Sequence, residues 1–130
     1  MQQIPSLYIA DSDLGGRGVF SSSPVSAGSI IEIAPVLILP AEQRPLFDQT
    51  LIHDYYFIWG ENDEALALLL GNGSLYNHSF EPNAEYRPDF SGQTMSFYAL
   101  TEIEAGEEIT VNYNGDPDGK GRFWFHGGEE

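Results

Sequence analysis

The sequence predicts a mainly β protein with many short strands and little helix. Three observations carry that reading. Short apolar or β-branched runs recur along the chain, separated by clusters of Gly, Pro, Asn, Asp and Ser. No stretch sustains a long helical period. A chain of 130 residues, 42% of them apolar, suits one core and is too short for two ordinary domains. Residues 1–130 are therefore expected to form a single domain, with an aromatic tail from about 114 to 130.

Leu7 to Ala10 reads as a first strand and Gly18-Val19-Phe20 as its partner, joined across the turn-rich Asp11 to Gly16. Pro24 to Gly28 is a second turn. Ser29 to Leu39 is rich in Ile and Val but interrupted by Pro35, which cannot donate to a central ladder. It reads as two short strands or as one with a bend. A weak helical segment runs from Pro40 to about Asp48, and Tyr55 to Trp59 suits a strand. Ala65 to Leu70 is apolar on every side, and its period fits helix or strand. Gly71-Asn72-Gly73 breaks the chain. Ala84 to Arg87 and Thr94 to Ala99 form a hairpin pattern around Pro88 to Gln93, and Ala105-Gly106-Glu107 turns into a strand from Glu108 to Tyr113.

Composition excludes several functions. Twenty acidic against five basic residues give a formal net charge of -15. That surface repels phosphates, so no direct nucleic-acid binding is expected. It attracts basic protein segments, although solubility alone also accounts for acidity. With no cysteine, disulfides, thiolate nucleophiles and cysteine-held zinc are excluded. The first residues show no signal-like run and no segment is long enough to span a membrane, so a cytoplasmic or otherwise intracellular setting is expected. Asn114 to Gly119 partly matches a calcium loop, but Phe125 stands where its glutamate belongs. The three histidines have no metal-ligand spacing, and no metal is expected.

Three polar or glycine-rich stretches could carry chemistry. Leu14 to Phe20 contains Gly15-Gly16-Arg17-Gly18, where backbone can approach a ligand closely, although a simple hairpin turn needs the same residues. Tyr76 to Asn83 offers Asn77 and His78 as paired donors and acceptors, or reads as an ordinary capped turn. Ile109, Val111 and Tyr113 alternate as on a half-buried strand, which would aim a phenol into a pocket or simply into the core.

Taken in order, Gly16-Arg17-Gly18, Asn77-His78-Ser79 with Pro82-Asn83, and Glu107 to Tyr113 resemble the motifs of the SET-domain family of protein-lysine methyltransferases, closest to its minimal viral-type members. The likeness runs from about Ser12 to Trp124. It implies a β-clip fold of short curved sheets with a C-terminal pseudoknot that brings Asn77-His78 beside Tyr113. It also implies S-adenosylmethionine as methyl donor. By this resemblance Gly16, Arg17, Gly18, Asn77 and His78 bind the cofactor, and Trp124 or Phe123 stacks on its adenine. Tyr113 would align a lysine ε-amine from a basic, histone-like protein segment. Tyr55, or its neighbour Tyr56, matches a second active-site tyrosine. Minimal members often pair with themselves, so a homodimer is expected.

The chain departs from the family pattern at Phe80, where many members have cysteine, at Leu75-Tyr76, in place of Arg-Phe, and at Asn112. Phe80 and Asn112, with the absence of the family's C-terminal cysteine cluster, motivate an alternative: a SET-fold module that binds basic peptides without turnover.

Overall fold

The computed structural model of the chain describes residues 2–113. Its strands are β1 (Leu7–Asp11), β2 (Arg17–Ser21), β3 (Ile30–Pro40), β4 (Tyr56–Trp59), β5 (Ala65–Leu69), β6 (Asn77–His78), β7 (Ala84–Asp89), β8 (Thr94–Ala99) and β9 (Glu108–Val111). The helix α1 (Arg44–Phe47) is a single turn, preceded and followed by 3₁₀ turns at Ala41–Gln43 and Leu51–Asp54; a further one covers Gly73–Leu75. The mainly β expectation holds.

One sheet has the order β1-β2-β9-β6, the other β4-β5-β3-β8-β7. The first hairpin forms as expected, in register from Leu7 opposite Ser21 to Asp11 opposite Arg17. Its turn places Gly15 at φ 119° and Gly16 at φ 59°, where a side chain would strain the backbone. The β7–β8 hairpin also forms, from Ala84 opposite Ala99 to Asp89 opposite Thr94.

Pro35 does not split β3. The strand runs through it and changes partner there: Ile30 to Pro35 pair with β8, and Val36 to Pro40 pair with β5. The proline carbonyl still accepts from Leu70 N–H at 2.9 Å. A missing donor is tolerated at the point where one ladder ends and the next begins. The ambiguous run at Ala65 is a strand, sandwiched between β4 and β3. The strand expected from Tyr55 begins at Tyr56, because Tyr55 closes the Leu51–Asp54 turn.

Two further expectations shift in detail. The Asn77-His78 segment is not a plain turn: it forms a two-residue strand parallel to β9, with Asn77 opposite Thr110 and His78 opposite Val111. The last strand stops at Val111, and Asn112 and Tyr113 leave it. The inner faces of both sheets feed one buried cluster, which includes Val19, Ile109 and Val111 from the first and Ile31, Ala34, Ala67 and Phe97 from the second. Part of the expected pseudoknot, like Phe123, Trp124 and the Asn114 to Gly119 loop, lies outside the described residues.

Candidate active site

The three sequence motifs meet because β9 sits between β2 and β6. At one junction the Asn77 side-chain amide donates to the Arg17 carbonyl at 3.1 Å and to Glu108 Oε2 at 2.8 Å. The Ser12 hydroxyl donates to Glu108 Oε1 at 2.6 Å. Gly18 is enclosed by this contact: a Cβ there would lie 2.2 Å from Glu108 Oε2 and 3.0 Å from Asn77 Nδ2. By contrast, a Cβ on Gly15 or Gly16 would meet nothing within 4 Å. The turn thus presents open backbone on one side and is tied to Asn77 on the other. Two oxygen acceptors around Nδ2 fix the amide's orientation and leave Oδ1 to accept from elsewhere.

The second half of the central motif also grips β9. Asn83 Nδ2 donates to the Glu108 carbonyl at 2.8 Å, while its Oδ1 accepts from Thr110 N–H at 2.9 Å. One amide side chain thereby replaces a neighbouring strand. Ser79 N–H donates to the Val111 carbonyl at 2.9 Å.

Beyond the strand, Tyr113 is held along its backbone and by its ring. Its N–H donates to His78 Nδ1 at 3.0 Å, its carbonyl accepts from the Tyr86 hydroxyl at 2.8 Å, and its own hydroxyl donates to the Tyr76 carbonyl at 2.7 Å. An N–H donor requires a lone pair on Nδ1, which assigns the neutral ring's proton to Nε2. The His78 and Tyr113 ring centroids are 5.1 Å apart, and Phe80 lies edge-on to His78 at 4.5 Å.

Tyr113 lines a cleft with Asp54, Tyr55, Tyr56, Phe57, Ser74 and Tyr76. The two tyrosines expected at the site, Tyr55 and Tyr113, therefore share one wall system. Tyr55 and Tyr56 both line the cleft but are held differently. Tyr56 is buried, and its hydroxyl donates to Asp48 at 2.7 Å and accepts from Arg44 Nε at 2.8 Å. That phenol ties α1 to β4. Tyr55 is half-buried and faces the cleft. Burial first, and then the charges of Tyr55, Glu108 and Asp54, push the Tyr113 phenol far above its ordinary value, so it keeps its proton.

Sequence reasoning passed over Glu32. It is 2% exposed, accepts from the Tyr76 hydroxyl at 2.6 Å through Oε1, and accepts from Asn72 N–H at 2.9 Å through Oε2. The available signal was a lone carboxylate inside the apolar run Ile30-Ile31-Glu32-Ile33. It also passed over Asp54, Phe57 and Ser74, since nothing in their local pattern marks a cleft wall. Among the described residues no group of three or more metal-ligating side chains stands together.

An open glycine turn locked to an asparagine stands next to a parallel β6–β9 pair that leads a half-buried tyrosine into an aromatic cleft, the arrangement expected of a SET-type site. Comparison with known proteins agrees. The SET-domain profile matches residues 16–114. A Schizosaccharomyces pombe histone-lysine N-methyltransferase, H3 lysine-37 specific, is 38% identical over 92% of this chain and 76% of its own length. A Debaryomyces hansenii histone-lysine N-methyltransferase, H3 lysine-36 specific, is 27% identical over 88% of this chain, which spans only 17% of that longer protein. A Plasmodium falciparum crystal structure, described as a candidate histone methyltransferase, superposes with a TM-score of 0.67 at 34% identity, covering 85% of this chain and 98% of that one. The chain belongs to the SET-domain family and is by class a protein-lysine methyltransferase.

Proposed function

We propose that the chain transfers a methyl group from S-adenosylmethionine to the ε-amine of lysine in a basic, histone-like protein segment. The observation that carries this is the Tyr113 hydroxyl, fixed on the Tyr76 carbonyl in a cleft beside the Asn77–glycine-turn junction.

The residues fit the cofactor. Open backbone at Gly16 and the Asn77 Oδ1 acceptor suit the carboxylate and ammonium of an amino acid, with Arg17 and Gly18 tying the turn to Asn77 and Glu108. By family resemblance, His78 would present backbone groups to the adenine, and Phe123 or Trp124 would stack on that ring. When bound, the sulfonium supplies an electrophilic methyl group.

The chain's own groups handle the amine. A free lysine has a pKa of about 10.4, and aromatic walls such as Phe57 and Tyr55 penalise its charged form. Asp54, exposed where it lines the cleft, attracts the charged side chain on approach. Because the Tyr113 proton is engaged by Tyr76, the Tyr113 oxygen acts as acceptor. It takes an amine N–H and so aims the amine's lone pair. The same oxygen and the Tyr76 carbonyl can accept weak C–H···O contacts. With the sulfonium bound, the amine lone pair would take the methyl group, the electrons of the broken carbon–sulfur bond would stay on the leaving thioether, and the surplus amine proton would pass to water. Tyr113, kept protonated by burial, orients the amine and does not take that proton. Tyr55 contributes to the channel wall.

The inactive alternative rested on Phe80 and Asn112. Phe80 is 56% exposed and Asn112 is buried, and neither lines the cleft. Activity is therefore the supported reading. The formal charge of -15 suits a lysine-rich partner rather than nucleic acid. The reading includes an intracellular setting, cytoplasmic or nuclear, and self-pairing as a homodimer. No helix among the described residues is long and apolar enough to cross a membrane.

Titration calorimetry with S-adenosylmethionine, followed by labelled methyl transfer to histone H3, tests the proposal. Saturable heat and label confined to lysine are expected. No heat and no label above background would overturn it.

A further inference from the structure

We infer that Glu32 is a positioning residue, setting the Tyr113 hydroxyl through the ring and carbonyl of Tyr76. This rests on the reading above, in which Tyr113 aligns the lysine amine.

The connection is continuous. Glu32 Oε1 accepts from the Tyr76 hydroxyl at 2.6 Å, and the Tyr76 carbonyl accepts from the Tyr113 hydroxyl at 2.7 Å. Tyr76 therefore holds the substrate-facing phenol with one end and is itself held at the other. Its ring is 1% exposed and stacks on Phe97 at 4.2 Å, so it has little freedom to turn. Glu32 is fixed independently. Oε2 accepts Asn72 N–H at 2.9 Å, the Asn72 amide donates to Gln3 Oε1 at 2.9 Å, and Ile4 and Ile33 N–H pair with Ile31 and Gln2 carbonyls. Gly71, at φ 62°, permits the close approach, since a Cβ there would lie 2.5 Å from Glu32 Oε2.

The site needs a carboxylate here for a donor–acceptor reason. Tyr76 O–H and Asn72 N–H are both donors, so two acceptors are required. A leucine would pack but hold neither. Glutamine offers one acceptor and one donor. With its oxygen on Asn72, its NH₂ must face the Tyr76 hydroxyl and reverse that bond. Burying a carboxyl this deeply is costly unless both oxygens are satisfied, and here both are. Glu32 does not line the Tyr113 cleft, so its influence on the reaction passes through Tyr76.

The test uses the full chain with Glu32→Gln and Tyr76→Phe, each alone and combined with Tyr113→Phe. Activity is read with S-adenosylmethionine and histone H3, and the Tyr113 ring by ¹³C-tyrosine NMR. Either single change is expected to lower kcat about tenfold, as a misaligned phenol would. KM for S-adenosylmethionine should stay within about twofold, and a second loss should be absent once Tyr113 is already Phe. The Tyr113 ring-carbon resonance should move in both single variants. Equal losses with and without the Tyr113 hydroxyl would show a merely structural role and overturn the proposal. So would an unmoved Tyr113 resonance in two folded variants. If the wild type transfers no methyl group, the proposed function fails, while the resonance still decides the role of Glu32.

Discussion

Two carboxylates flank the Tyr76-Asn77-His78 segment, and they do different work. Glu32 lies behind it, 2% exposed, and grips the Tyr76 hydroxyl. Glu108 lies in front, half-buried, and grips the Asn77 amide together with Ser12. Burial raises the Glu32 carboxyl above its ordinary value, partly offset by the bonds from Tyr76 and Asn72. The lesson is that one motif is braced from two sides. The dry side fixes the phenol end of the site, and the wetter side fixes the glycine turn where the cofactor's amino acid is proposed to lie.

Breaking the dry side should cost most. Glu32→Ala strands two donors at 1–3 kcal/mol each, so urea denaturation should show a loss of about 3 kcal/mol. Gly18→Ala attacks the other side by driving a Cβ into Glu108 Oε2 and towards Asn77. The flexible carboxylate can move, so folding should survive, but calorimetry should show cofactor affinity about tenfold weaker, about 1.4 kcal/mol. Glu108→Gln keeps one acceptor for Asn77 or Ser12 and should cost about 1 kcal/mol by urea denaturation.

The smallest effect sharpens the comparison through pH. A folded-state pKa raised above the unfolded value means that the Glu32 contribution is fully present at low pH and lost as pH rises through the raised value. Glutamine does not titrate. The stability of Glu32→Gln relative to wild type should therefore improve from about pH 4 to about pH 7. A gap that is flat, or that closes towards low pH, would contradict the burial account of Glu32.

Much of this was legible in the sequence because the signals were local. Turn residues at Gly15-Gly16 and alternation around Thr94 to Ala99 marked the hairpins, and three ordered motifs marked the family and the segments that meet around β9. The boundaries that moved did so for tertiary reasons. Pro35 reads as an interruption, yet β3 continues because its partner changes there. Asn77-His78 reads as a turn, yet it becomes a strand because β9 offers a free edge many residues later. Glu32 was overlooked because its meaning depends on Tyr76 and Asn72, which reach it from a distant loop. Tyr55 and Tyr56 are adjacent and alike in sequence. In the fold they differ in burial and in the Asp48–Arg44 pair, which claims the Tyr56 hydroxyl.

The most direct test of the account is Tyr113→Phe, assayed for labelled methyl transfer to histone H3 beside calorimetry with S-adenosylmethionine. Loss of the aligning oxygen should lower kcat on the order of a hundredfold. The ring and the N–H bond to His78 remain, so cofactor affinity should stay within about threefold. Full activity without the hydroxyl would contradict the central claim.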